Sequence, residues 1–252
     1  MHHHDTVNHC DYPLNEARSY QWHDIIFVNI GGQAAAFKTY GSDLIERWQE
    51  LDQPVYHSGP DSSFSLTVNC NWKLAVENYC EASHLPYIHS GLNSYSWLEY
   101  HYNVMPIPGY AGQGSTVYAL QISNDGRAFP NFEGLSQQWS SGAEYVALFP
   151  NQLLVVHRDH CYGIILLPNG PNRSIERIEI YHAQDAAITS AFADMRSTNT
   201  IIWRDIFIED VFVVEGIQKS RHPNKYDGGK ISAVMDAPTH HFHKWVATAL
   251  SG

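Results

Sequence analysis

The chain has 252 residues, 44% of them hydrophobic and 16% charged, with a formal net charge of -11. That hydrophobic share fits a folded domain with a sizeable core and excludes a disordered chain. The acidic balance, with no Lys/Arg-rich run, argues against nucleic acid or an anionic membrane surface as partner, because both need concentrated positive charge.

The branched apolar run DIIFVNI over 24–30 predicts a strand that ends at the Gly31-Gly32 turn. Leu44, Ile45 and Trp48 share one side of a helix predicted over 42–51, and the alternation of SFSLTV predicts a strand over 63–68. Trp72, Ala75, Val76 and Tyr79 form an apolar stripe that predicts a helix from 71 to about 85. Strands are then expected over 100–104, 116–122, 144–149, 153–157, 163–167 and 177–182. Turn signals at 106–109, 124–126, 150–151 and 168–171 separate them. Residues 186–220 read as one long helix or two joined ones, and 239–250 as a short terminal helix. Helix, many strands, helix is the order of an α+β fold, a curved antiparallel sheet covered by helices.

No stretch approaches the ~20 apolar residues of a membrane helix. The start, MHHHDTVNHC, has no signal-peptide core, so the expected location is cytoplasmic. Cys10, Cys70, Cys80 and Cys161 are scattered and make no CxxC or C-x-H pair, and so read as reduced core residues.

Chemistry concentrates in residues 71–90, NWKLAVENYCEASHLPYIHS. Glu81 and His84 are three apart and share a face if the helix continues. His84 and His89 are five apart, and a straight helix would turn them ~140° from each other. Pro86 lies between them, and its missing N–H and its ring predict a bend or end near Leu85 that swings His89 back. Two imidazoles brought together in this way are half of a metal site. A third donor is found in WRDIFIEDVFVVEGIQ, where Trp203, Phe207, Asp210, Val211 and Val214 fall on one helical stripe. Asp210 is an acid on an apolar face and wants a metal or a partner. Two histidines and a carboxylate on one face fit non-haem Fe(II), and spacing alone leaves zinc open as well. In a chain with 16 histidines, structural roles for His84 and His89 also stay open.

NWKLAVENYCEASHLPYIH resembles the iron-binding signature of Rieske non-haem oxygenase alpha subunits. IEDVFVVEGIQ is similar to the segment that supplies the family's carboxylate ligand, and GSTVYALQ, AEYVALFPN, VHRDH and VMDAPTHHFHKW share the family's look. The resemblance runs from about Tyr12 to the end and implies a START-like helix-grip fold. It implies that His84, His89 and Asp210 hold a mononuclear Fe(II). It implies that Glu81 bridges the iron site to a Rieske cluster on a neighbouring subunit, and that Asn78 lies near the iron. The implied reaction inserts oxygen from O2 into an aromatic ring or a quaternary ammonium compound, the latter suggested by Glu at 81. Tyr79, Tyr87, Trp203 and Phe207 are the candidate pocket residues, with plain core packing as their alternative. The implied partners are the small substrate, a reductase or ferredoxin donor, and two further copies in a homotrimer.

The chain departs from the family in one respect: the C-x-H and C-x-x-H that hold a [2Fe–2S] centre are absent. Residues 1–30 therefore read as the segment that follows a Rieske domain, and 31–252 as the catalytic domain, a fragment expected to be inactive alone. The rival readings are a metal-free helix-grip carrier of hydrophobic ligands, an inactive remnant, and a zinc hydrolase, which lacks an evident general base.

Overall fold

The computed structural model describes residues 16–105, 109–221, 228–232 and 234–251. The His-rich start, Cys10 and positions 106–108 of the first turn signal lie outside them. In chain order the strands are β1 (Arg18–Trp22), β2 (Ile25–Asn29), β3 (Tyr56–His57), β4 (Ser63–Val68), β5 (His101–Val104), β6 (Tyr110–Ser115), β7 (Ala143–Leu148), β8 (Gln152–Val156), β9 (His160–Pro168) and β10 (Ser174–His182). The helices are α1 (Phe37–Tyr40), α2 (Ser42–Arg47), α3 (Trp72–Cys80), α4 (Leu85–Ile88), α5 (Ser90–Asn93), α6 (Gln137–Ser141), α7 (Ala193–Ser220) and α8 (Ala237–Ser251).

An eight-stranded antiparallel sheet runs β3-β10-β9-β8-β7-β6-β5, and β4 pairs with β10 beside β3. Its central strands alternate between two apolar faces, because side chains one apart point to opposite sides. Tyr145 and Ala147 of β7 and Leu153 and Val155 of β8 pack in one core with Val76 of α3, Trp203 and Phe207 of α7 and Phe242 of α8. Val146, Leu148, Leu154 and Val156 face the other way, onto Trp22, Leu44 and Trp48. Both faces are covered, and every residue of β7 and β8 is buried. The β1–β2 hairpin belongs to the second layer. Its Trp22 stacks on Trp48 at 6.1 Å, and its indole N–H donates to Asp52 at 3.2 Å. The α+β expectation holds, with helices α3, α7 and α8 over one face of an antiparallel sheet.

Two local expectations are corrected. The strand predicted over 116–122 forms instead at Tyr110–Ser115, and 116–122 is irregular. Tyr110–Ser115 reads YAGQGS, a poor strand signal, yet Gly112 and Gly114 are needed there: a Cβ at either would run into the Tyr145 carbonyl or the Tyr102 ring. The helix predicted to reach 85 stops at Cys80. Asn71 caps its start by accepting from Lys73 N–H at 3.2 Å, and Glu81 at its end is extended. The long region before Ser220 resolves into two short 3-10 turns, Asp185–Ile188 and Ser190–Phe192, and the single 28-residue α7.

Candidate metal centre

The stop after Cys80 builds the site. Glu81 leaves the helix extended, and its carboxylate turns back to accept from the N–H and hydroxyl of Ser83. That local turn competes successfully with another helical hydrogen bond. His84 then reaches Glu81 through Nδ1 at 2.5 Å. Glu81 and His84 therefore meet across a turn and not along a helix face. Pro86 does not break a helix. It occupies the first turn of α4, where a missing N–H is harmless. The α4 turn carries the chain to His89, whose N–H donates to the Leu85 carbonyl at 2.9 Å. The two rings finish 5.1 Å apart, centre to centre, with their planes at 71°.

The third donor arrives from α7. Asp210 Oδ1 lies 2.9 Å from His89 Nε2 and 3.7 Å from His84 Nε2. One ligand atom from each of His84, His89 and Asp210 falls within 4.8 Å of the others. Two donors about 2.1 Å from a shared ion and at right angles to each other sit about 3 Å apart; the His89–Asp210 pair has that spacing, and His84 stands wider. Both Nδ1 atoms are already engaged by acids: His84 by Glu81, and His89 by Glu209 at 2.7 Å. With Nδ1 held, the Nε2 lone pairs are the ones presented to the common point, the arrangement acids behind ligand histidines produce. The donor chemistry therefore fits a mononuclear ion.

Electrostatics follow the same pairs. Burial pushes the Glu81 carboxyl up, but the His84 and Ser83 hydrogen bonds outweigh it and hold Glu81 below the ordinary carboxylate range. Burial also works against charge on His89, and Asp210 and then Glu209 reverse it, so that His89 sits above its ordinary value.

A cavity opens on the three donors, walled by Tyr79, Tyr145, Tyr162, Trp203 and Phe207, with Asn78 at its margin. Tyr79 is pinned there by donating its hydroxyl to the Leu154 carbonyl at 2.8 Å. Trp203 is pinned by its indole N–H on His160 Nε2 at 3.1 Å, and His160 in turn holds Asp159 through Nδ1 at 2.6 Å. Tyr79, Trp203, Phe207 and Asn78 all stand at this cavity. Tyr87 does not: it is 85% exposed and is not part of the cavity wall, because the α4 turn points it outward.

Sequence reasoning missed Glu209. It stands beside Asp210, and on a helix its neighbour points ~100° away, which would send one of the two acids off the site. In the structure the two straddle His89, one at each nitrogen. The doublet of acids on an apolar helix was the available signal. Gln113 was missed as well. It donates to the Glu81 carbonyl at 3.1 Å and receives His101 at 2.5 Å, closing the cavity's polar edge. It lies on the Gly-rich strand that alternation did not reveal.

No curated protein matches the chain in sequence. Among solved structures, the fold is similar to the quaternary ammonium Rieske monooxygenase CntA in complex with an inhibitor, at 17% identity and a TM-score of 0.73, covering 97% of this chain and 64% of that one. It is similar to naphthalene 1,2-dioxygenase from Rhodococcus sp. bound to indole, at 13% identity and a TM-score of 0.66, covering 97% and 68%. It is also similar to dicamba monooxygenase, at 13% identity and a TM-score of 0.56, covering 94% and 71%. The chain thus spans just under two thirds of the length of the monooxygenase it matches. These likenesses concern the fold. The family model for the ring hydroxylating alpha subunit catalytic domain matches residues 45–252. With most of its length covered by that model, and with two imidazoles and a carboxylate converging at an aromatic cavity, the chain belongs to the catalytic-domain family of ring-hydroxylating oxygenase alpha subunits.

Proposed function

We propose that His84, His89 and Asp210 hold a single ferrous ion and that this chain is the catalytic domain of a Rieske-type mono- or dioxygenase. The observation that carries the reading is the convergence of two Nε2 atoms and one carboxylate oxygen at the end of an aromatic cavity, with both Nδ1 atoms engaged by acids. An ion held there supplies the activation of O2 and its insertion into a C–H or C=C bond of the substrate. Glu81 and Glu209 orient the imidazoles so that their free nitrogens point inward. The walls of Tyr79, Tyr145, Tyr162, Trp203 and Phe207 exclude water and hold a flat or rounded apolar substrate beside the donors.

Substrates of two kinds suit such a wall, aromatic rings and quaternary ammonium compounds, and the fold's likeness to a naphthalene dioxygenase and to a quaternary ammonium monooxygenase supports both. Electrons are read as coming from a Rieske [2Fe–2S] cluster outside this chain, whose C-x-H and C-x-x-H ligands its sequence lacks. Glu81, hydrogen-bonded to a ligand histidine, is read as the link to that cluster. Residues 1–30 are read as the segment that follows a cluster domain and 31–252 as the catalytic domain, within a homotrimer supplied by a reductase or ferredoxin.

Anaerobic Fe(II) titration tests the reading. The chain is expected to take up one iron, and His84→Ala or Asp210→Ala to take up none while keeping the fold. Full iron in either variant overturns the ligand assignment. A metal-free carrier would instead bind hydrophobic ligand with no iron and no response to a chelator. In a form carrying the cluster domain, Glu81→Gln is expected to keep its iron and be reduced more slowly.

A further inference from the structure

Tyr79, Tyr145, Tyr162, Trp203 and Phe207 wall the cavity at the metal centre, and they differ in what their polar hydrogen meets. Tyr79 donates to the Leu154 carbonyl at 2.8 Å, and an amide oxygen is too weak a base to take the proton away. Tyr162 meets only the Tyr79 hydroxyl, at 3.4 Å. The Tyr145 hydroxyl is buried and has no partner among the described residues. Burial pushes all three phenols well above their ordinary range. Phe207 has no such hydrogen. Trp203 alone among them faces a base. Its indole N–H donates to His160 Nε2 at 3.1 Å, and His160 Nδ1 donates to the Asp159 carboxylate at 2.6 Å. Trp203 and His160 are each 1% exposed, so water cannot replace that base. Burial raises the Asp159 carboxyl, but His160 and then Arg158 outweigh it and hold Asp159 below the ordinary carboxylate range.

A phenol or an indole that loses an electron becomes a strong acid. In an apolar wall the resulting cation is unfavourable unless a base takes its proton. We propose that Trp203 is a one-electron redox site of the cavity, with His160 as its proton acceptor. One electron leaves the indole for a strong one-electron oxidant, formed from O2 in the cavity when no substrate is there to consume it. The N–H bond of Trp203 breaks, and an N–H bond forms at His160 Nε2. The products are a neutral indolyl radical and an imidazolium. The Asp159 carboxylate at Nδ1 balances the imidazolium charge, as a carboxylate behind a histidine base does. An outside one-electron donor then restores the indole, and the proton returns from His160. The wall in this way removes an oxidant that would otherwise attack Tyr79, Phe207 or the ligand histidines. That such an oxidant forms rests on the oxygenase reading above; that Trp203 gives up an electron and a proton together does not.

The test is flash photolysis of the metal-free chain with a ruthenium(III) polypyridyl oxidant. It uses a Trp97→Phe background, because Trp97 is 43% exposed and would compete for the oxidant. Transient absorption and electron paramagnetic resonance tell a deprotonated indolyl radical from its protonated cation. The background chain is expected to form a long-lived deprotonated radical, and to form it more slowly in D2O because the proton moves in the same step. Trp203→Phe should lose that radical. His160→Gln keeps an oxygen for the indole N–H but offers no base, so its radical yield should fall to the Trp203→Phe level. Near-ultraviolet circular dichroism shows that each variant keeps its fold. No long-lived tryptophan radical in the background chain, an equal yield in Trp203→Phe, or an unchanged yield and isotope effect in His160→Gln overturns the proposal. Iron uptake is measured separately: a chain that takes up no iron fails the oxygenase reading, while photolysis still decides the redox site.

Discussion

The cavity at the metal centre and the core behind it hold the same donor types, and the comparison shows why one pattern suits a metal and the other does not. In the first, each histidine gives Nδ1 to an acid and leaves Nε2 pointing at Asp210. In the second, His160 uses both nitrogens: Nδ1 on Asp159 and Nε2 on the indole N–H of Trp203. Indole is a donor only, so Nε2 of His160 must accept and its proton lies on Nδ1. No lone pair is left for an ion. His157 stacks on His160 at 4.5 Å and is buried, and burial pushes it well below the ordinary histidine range, so it stays neutral. Both regions pair histidines with acids, and what differs is the partner at Nε2: a carboxylate that can share an ion with it in the first, an indole N–H that takes up its lone pair in the second. The second cluster serves the first, because His160 fixes the angle of Trp203 in the cavity wall.

The comparison breaks most sharply if the roles can be exchanged. Asp210→Ala should abolish stoichiometric iron with little change in the denaturation midpoint of the metal-free protein. His160→Leu should do the reverse, keeping iron but losing about 3 kcal/mol or more of stability, because it strands the buried Asp159 carboxylate and the Trp203 N–H. Urea unfolding and metal analysis on the same two proteins read both effects. Iron loss in His160→Leu with stability intact would erase the distinction.

A smaller effect sharpens it. Glu209→Ala should weaken iron binding by about 10–100-fold, as loss of the acid behind a ligand histidine does. Glu209→Gln, which keeps an acceptor oxygen for His89 Nδ1, should recover most of that. An unchanged affinity in the alanine variant would show that His89 needs no second hold.

The smallest expected effect is on pH. His182 is buried beside the second cluster and pushed down to about 3, by burial first and then by His160. Its folded value lies below the unfolded value of 6.5, so protonation favours the unfolded chain. The stability it supports is therefore complete above pH 6.5 and declines by about 1.4 kcal/mol per pH unit below it, down towards pH 3. Unfolding of the metal-free protein at pH 7 and pH 5.5 should show the decline, and His182→Gln should flatten it.

Much of this was legible in the residues themselves. The alternation of β4 and the turn signals between the apolar runs of β7, β8, β9 and β10 marked those strands, and the apolar stripe on α7 made its one acid, Asp210, conspicuous. The Gly-rich β6 was not legible, because its glycines answer to the Tyr102 ring and the Tyr145 backbone, both far along the chain. Nor was the manner in which His84 meets Glu81. Helical spacing and a side-chain-supported turn both bring residues three apart together, and only the Ser83 hydrogen bonds to Glu81 select the turn.

By itself the sequence determined the sheet-and-helix class and put an acid on the late apolar stripe, because periodicity is a local property; it did not determine the turn between His84 and His89, since the helix ends at Cys80 and Pro86 starts a new one. Only the tertiary structure decided that Glu209 would hold the far side of His89 and that Tyr87 would face solvent. Those outcomes depend on how α4 and α7 are set against one another. That packing joins residues more than a hundred positions apart, and no local pattern encodes it.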